Sequence, residues 1–285
     1  MIIVTGATGQ LGGAVVAHLL EQVPARELAV SVRDPHSDAA RRLTDRGVQV
    51  RRGDFTEPDT LPTAFADASR VLIVSGPADP EPHRIAVEAA VTAGAEHIVY
   101  TAHMATSPDS HFGPARQHAV TEQDLAATGI ATTSLRNGFH ASSAPFMLGA
   151  GLRTGELRLP ADGPVAWTAQ ADLAVAAAIA LTDPDRLHGT TPPLTASRAL
   201  DMDELAEVVS RITGSTVTRT VVDEDEYRAA LVAGGLPEAF APMMTGFFAA
   251  ARDGEFATVD PTLADLLDRE PRSIEDVLTD TLRAH

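Results

Sequence analysis

Met1-Ile-Ile-Val-Thr-Gly-Ala-Thr-Gly-Gln-Leu-Gly12 opens the chain. Ile2–Thr5 is a short apolar, β-branched run that reads as a buried strand, and Leu11–Glu21 has helical periodicity. Gly6, Gly9 and Gly12 punctuate the turn between them as Gly-x-x-Gly-x-x-Gly. Residues without side chains let such a turn form and bring backbone N–H groups close to a diphosphate at the helix N-terminus. The third glycine permits close packing of helix on strand. Three glycines alone mark a tight turn. Placed at the first strand-to-helix junction of an alternating pattern, they mark a dinucleotide site formed by Gly6, Thr8, Gly9, Gln10, Leu11 and Gly12.

The alternation continues outward from that turn. Strand-like runs at Leu28–Arg33, Val48–Arg51, Val71–Ser75, His97–Thr101 and Ala131–Arg136 are separated by helical stretches. Those helices fall around Ser37–Arg46, Leu61–Ala66, His83–Ala93 and Gln117–Thr128. Short connections between strands and helices predict a parallel sheet covered on both faces, and right-handed crossovers make it doubly wound. After residue 138 proline and glycine become frequent. Helices are expected at Asp172–Leu181 with Asp172 as cap, Asp201–Thr213 with Asp201 as cap, Glu224–Ala233, Glu238–Arg252 and Ser273–Arg283, with a strand at Val217–Val222. The expected fold class is α/β, a doubly wound core over 1–138 with a smaller α/β C-terminal lobe over 139–285. The Asp172–Leu181 helix and a later strand are expected to return to the core.

Composition removes several chemistries. The chain has 285 residues and no lysine: all 22 basic residues are arginine. Schiff-base catalysis and a lysine-dependent phosphate loop are therefore excluded. It has no cysteine, hence no disulfide, thiolate nucleophile or Fe–S cluster. A formal charge of −17 argues against nucleic acid as partner, and an anionic cofactor must be held by local donors against the overall field. The apolar stretches, such as Ala174–Leu181, are too short to cross a bilayer, and no basic leader precedes the first strand, so a cytoplasmic address is expected. Gly-x-Ser-x-Gly is absent, against a serine hydrolase. His103, His111 and His118 are scattered rather than spaced as metal ligands, so no metal is expected.

The strand ends supply the remaining cofactor candidates. Arg33, in Val-Arg-Asp-Pro, suits the 2′-phosphate of NADP through its forked donors, whereas Asp34 beside it leaves NAD open. Asp54 and Phe55 are placed to meet adenine, with a helix cap as the rival role for Asp54. Ser75 and Gly76 end the fourth strand beside the adenosine ribose. Tyr100, Thr101 and Ala102 end the fifth, beside the nicotinamide ribose, where the Tyr100 side chain is expected to support the pocket.

Together these features resemble the NmrA-like branch of the atypical short-chain dehydrogenase/reductase superfamily, in particular type 2 NAD(P)H:quinone oxidoreductases. The matching segments are Thr5-Gly-Ala-Thr-Gly-Gln-Leu-Gly12, Val32-Arg-Asp-Pro35, Arg52-Gly-Asp-Phe55, His83-Arg84, Ile98-Val-Tyr-Thr101, the His118–Leu125 helix start and Leu135-Arg-Asn-Gly138. The resemblance implies a Rossmann domain, NADPH as cofactor, a site between two lobes, and reduction of quinones or other conjugated carbonyls. His118 falls where the superfamily's catalytic lysine projects. Ala102 departs from the serine usual in relatives, and no Tyr-x-x-x-Lys exists.

Hydride transfer asks little of the protein beyond holding the nicotinamide near its acceptor. A quinone is already electrophilic and its product is aromatic, so a strong general acid is dispensable. His118 and Asn137 are the catalytic candidates. His118 is placed to bind the nicotinamide ribose or donate a proton, and Asn137 to hydrogen-bond a substrate oxygen. His103, Asn137, Phe139, His140, Phe146 and Trp167 are candidate substrate contacts. The expected partner is a small quinone or quinone-like aromatic ketone, on a monomer or homodimer. One variant is a tailoring enzyme for aromatic polyketides, in which hydroquinone formation precedes reaction with oxygen. The competing class is a non-catalytic dinucleotide sensor acting through a protein partner.

Overall fold

Residues 1–76, 79–149 and 151–283 are described in a computed structural model of the protein. The first elements are β1 (Ile2–Thr5), α1 (Gln10–Leu19), β2 (Leu28–Val32), α2 (Asp38–Asp45), β3 (Gln49–Arg52), α3 (Leu61–Ala64), β4 (Arg70–Ile73), α4 (Pro80–Thr92), β5 (His97–His103), α5 (Gly113–Ala127) and β6 (Ala131–Asn137). There follow β7 (Phe139–His140), α6 (Ala144–Leu148), α7 (Gly151–Thr154), β8 (Glu156–Leu159), β9 (Trp167–Thr168), α8 (Gln170–Thr182), β10 (Gly189–Thr190), α9 (Met202–Thr213), β11 (Thr218–Val221), α10 (Glu224–Ala233), α11 (Ala241–Arg252), α12 (Thr262–Leu267) and α13 (Ile274–Arg283).

The chain divides into two compact units. The first comprises Met1–Ala102, Gln117–Arg136 and Gln170–Pro192; the second comprises His103–Arg116, Asn137–Ala169 and Pro193–His285.

The first unit is built on a seven-stranded parallel sheet of order β10-β6-β5-β4-β1-β2-β3. β1, next to the central strand β4, pairs in register with β2, Ile2 opposite Leu28, and with β4, Ile2 opposite Arg70. Ile3, Val4, Val30, Leu72, Ile73, Ile98 and Val99 are fully sealed. Burial on both faces is what makes these strands read as unbroken apolar runs. Each such side chain contributes about 1.5–3 kcal/mol. The order reverses between β1 and β4, and the Gly6–Gly12 turn lies at the C-terminal end of β1, where open α/β sheets bind ligands.

Helix α8 packs along α1, and its Ala174, Ala176, Ala177, Ala178 and Ala180 are all buried. Small side chains on α8 let the two backbones approach closely. Asp172 does not cap this helix as expected. The helix starts at Gln170, and Asp172 is fully buried within its first turn.

The second unit has two short parallel strand pairs, β7 with β9 and β8 with β11, among helices. Phe139, Trp167, Phe247, Phe248 and Phe256 form its aromatic centre. Arg219 on β11 is sealed against Asp162, with N···O 2.6 Å, and Asp162 also accepts from the Met202 N–H at 3.0 Å. Asp201 caps α9 as expected, in a reciprocal box with Glu204. The helix expected over Glu238–Arg252 is divided: a single 3₁₀ turn, Glu238–Phe240, precedes α11, whose first turn holds Pro242.

Candidate functional site

The first βα turn is shaped by contacts that exclude side chains. Gly6 has φ +62°, and a Cβ on it would lie 3.1 Å from Val74 Cβ. A Cβ on Gly12 would lie 2.4 Å from the Gly6 carbonyl oxygen. Gly9 N–H donates to that same oxygen at 2.9 Å. Gly9 is the N-cap of α1, with extended backbone and no side-chain cap. The first-turn N–H groups therefore face outward at the positive end of the helix, beside exposed Thr8 and Gln10. Leu11 is buried, so only its backbone is on offer. These residues fit a diphosphate: the cradle consists of main-chain donors that side chains would block.

At the end of β2, Arg33 is exposed and held by no ion pair among the described residues. Asp34 is occupied locally. Its Oδ1 accepts from His36 N–H at 2.8 Å, and its carbonyl accepts from Ser37 Oγ at 2.9 Å, in the turn that leads to Ser37 as N-cap of α2. The guanidinium is thus an exposed cation at this strand end, of the sign a phosphate needs. Asp54 is a turn residue and not a helix cap: Oδ1 accepts from Thr56 N–H at 2.9 Å and Thr56 Oγ1 at 2.8 Å. Those two bonds, helped by Arg33 and Arg52, hold its carboxyl below the usual range. Phe55 beside it is half-buried.

Beyond β4 three successive backbone donors are satisfied by side chains from three different elements. Val74 N–H donates to Thr5 Oγ1 (2.9 Å), Ser75 N–H to Thr101 Oγ1 (2.8 Å), and Gly76 N–H to His83 Nε2 (3.0 Å). This fixes the chain where it passes the glycine turn. Thr101 and Ala102 are buried. The Tyr100 ring is fully sealed within the protein. Its Oη lies 2.7 Å from His118 Nδ1, and burial pushes the phenol far above its ordinary pKa. His118 is half-buried on α5, and Glu122 one turn on ties that helix to β6. Glu122 accepts from Ser134 Oγ (2.7 Å) and, with both oxygens, from the Arg136 guanidinium (3.1 and 2.8 Å).

The second unit holds the other candidates. Asn137 is buried; its carbonyl accepts from Met104 N–H at 2.8 Å, while its Oδ1 has no hydrogen-bond partner among the described residues. Gly138 follows because a Cβ there would lie 2.2 Å from Thr168 Oγ1. Phe139 and Trp167 are both buried, with ring centroids 5.3 Å apart, and Trp167 also lines a cavity with Ala196, Leu200 and Val208. His103 belongs to the same cluster, 5.4 Å from the Phe139 ring, with Nδ1 accepting from Ala105 N–H. Part of His140 meets solvent, yet its ring is enclosed, and burial holds its pKa down to about 4. Phe146 is 59% exposed. His83 went unassigned in the sequence, although a histidine inside the apolar stripe of α4 was a signal that it has a partner there.

The whole of this architecture has relatives. The chain is 34% identical to Quinone oxidoreductase 2 of Escherichia coli, over 94% of this chain and 93% of that protein. It is 31% identical to an NAD(P)H azoreductase of Xenophilus azovorans, over 97% and 96%. The crystal structure of the E. coli NADPH-dependent quinone oxidoreductase complexed with NADPH superposes with a TM-score of 0.91 at 30% identity, covering 99% of this chain and all of that one. The model of the NmrA-like family matches residues 1–276. The chain belongs to the NmrA-like family.

Proposed function

We infer that this chain is an NADPH-dependent oxidoreductase that reduces a quinone or quinone-like aromatic ketone by direct hydride transfer. The observation that carries the reading is the uncapped first turn of α1 behind Gly6, Gly9 and Gly12, with the exposed Arg33 guanidinium at the next strand end. The activities named for the E. coli and X. azovorans relatives support it.

Bound NADPH supplies the hydride. The α1 amides hold its diphosphate, and Arg33 selects the 2′-phosphate. His118 hydrogen-bonds the nicotinamide ribose or the acceptor oxygen. Asn137, with a side-chain polar atom still unpaired, binds the substrate oxygen on which charge develops. Reduction of a quinone needs one hydride and one proton, and the aromatic product lowers the demand for a strong acid. A site with Ala102 in place of a hydroxyl and no lysine suits such an acceptor better than a simple ketone.

The test is NADPH oxidation by purified protein across a panel of quinones. Turnover with menadione or larger quinones, abolished in Gly9→Asp, is expected. Tight NADPH binding without turnover on any acceptor would instead favour the dinucleotide sensor.

A further inference from the structure

His83 sits at the start of a hydrogen-bond chain whose direction can be worked out donor by donor. A backbone N–H only donates, so His83 Nε2, 3.0 Å from Gly76 N, must be the bare nitrogen. The ring is buried, which lowers its pKa, and a neutral ring then carries its proton on Nδ1. That Nδ1 is 3.5 Å from both Tyr100 Oη and Thr121 Oγ1, a weak and shared contact. Thr121 also donates toward the Gln117 carbonyl at 3.3 Å. Tyr100, which also hydrogen-bonds the Thr121 side chain, therefore has donors behind it and one proton to give. Its shortest contact is His118 Nδ1, at 2.7 Å.

We propose that His83 and Tyr100 are positioning residues that lock His118 in a single neutral tautomer, with Nδ1 accepting from Tyr100 and the proton on Nε2. This deepens the role given to His118 above and rests on that reading for its functional meaning. The chain starts at a backbone amide, which does not titrate, so the fold sets its polarity. For the same reason it is not a proton wire. Gly76 N–H cannot replace a proton passed down the chain, and release of the Nε2 proton would leave a sealed tyrosinate or an imidazolate. His118 acts as a neutral hydrogen-bond donor to developing negative charge, and the proton that completes the product comes from solvent.

The tautomers are read directly by long-range proton–nitrogen NMR on full-length protein carrying ¹⁵N-histidine, with His118 and His83 assigned from His118→Gln and His83→Gln. The expected result is opposite tautomers: His118 protonated on Nε2 and His83 on Nδ1. In Tyr100→Phe the His118 Nδ1 resonance should move downfield as its donor is lost, and a second tautomer should appear. In the same variant kcat for menadione should fall about tenfold, with KM for NADPH within about twofold. Wild-type His118 carrying its proton on Nδ1, or Tyr100→Phe leaving the His118 signals unmoved, overturns the proposal even where that variant is destabilised. Unchanged kinetics in His118→Ala would remove the functional role while leaving the tautomer assignment standing, so the two failures are distinguishable.

Discussion

A methyl group on Gly12 would lie 2.4 Å from the carbonyl oxygen of Gly6. Nothing flexible stands on either side of that contact. The oxygen belongs to the turn, Gly12 belongs to α1, and α8 packs against α1 from outside. Gly12→Ala must therefore push the helix away from the strand end, disturbing both stability and the diphosphate cradle. Gly9 differs, because a Cβ there meets the same oxygen at 3.3 Å, a tight but tolerable distance. Gly9→Asp should keep a melting temperature within a few degrees of wild type while NADPH affinity collapses, since a carboxylate then occupies the anion site. Thermal melting and calorimetric titration separate the two. Equal loss of stability in both variants would count against the cradle.

Arg33 and Asp34 stand side by side, and one carboxylate oxygen of Asp34 is already held by His36 N–H. On the proposed reading, the 2′-phosphate of the nucleotide meets the Arg33 guanidinium. A hydrogen bond to a charged group is worth about 1.5–3 kcal/mol, roughly 10- to 150-fold in affinity. Arg33→Ala should weaken NADPH by that order and leave NADH within about twofold. If both nucleotides weaken equally, Arg33 is not the phosphate contact.

Elements whose burial follows one simple period were legible in the sequence. β1 and α10 match their expected ranges, Ile2–Thr5 and Glu224–Ala233, and the Asp201 cap was visible because a cap is local chemistry. Elements made by partners distant in sequence were not. β7 and β9 are two residues each and exist because Phe139 and Trp167 pair across the second unit, which no local pattern encodes. Asp172 misled for a related reason. It looks like a cap in the sequence, but α8 begins two residues earlier. At the candidate site the glycines announced themselves by spacing. The Tyr100–His118 contact and the weaker His83–Tyr100 contact arise from β5, α5 and α4 meeting in space.

Asn137 offers an inverse relation between stability and activity. Its buried Oδ1 lacks a partner among the described residues, and an unpaired buried polar atom costs about 1–3 kcal/mol. Asn137→Leu, close in volume and apolar, should leave the melting temperature unchanged or raise it. If the side chain binds the substrate oxygen, kcat for a quinone should fall roughly a hundredfold in the same variant. Loss of stability together with unchanged kcat would assign Asn137 to the fold.

Acid should destabilise the protein well before its carboxylates titrate, and His97 gives the clearest reason. Its Nε2 lies 2.9 Å from Thr133 Oγ1, and that hydroxyl donates its one proton to the Leu187 carbonyl at 3.1 Å. Thr133 therefore accepts, Nε2 carries the ring proton, and Nδ1 is left buried without a partner among the described residues. A second proton would place an unpaired N–H in the interior, and the nearby Arg70 charge adds to the penalty. The pKa is accordingly held below the ordinary 6.5. Burial lowers His83 as well, and His140 to about 4. In the unfolded chain all three titrate near 6.5, so below that pH the unfolded state binds protons the folded state refuses. Stability is complete above about pH 6.5 and declines as pH falls toward the depressed folded values. His97→Gln keeps a donor at the Nε2 position and removes the titration. Denaturant melts between about pH 7 and about pH 5 should show a shallower loss in this variant than in wild type, by up to one proton's worth of slope, about 1.4 kcal/mol per pH unit. An unaltered slope would mean that His97 accepts its second proton in the folded protein, and the tautomer assigned through Thr133 would then be wrong.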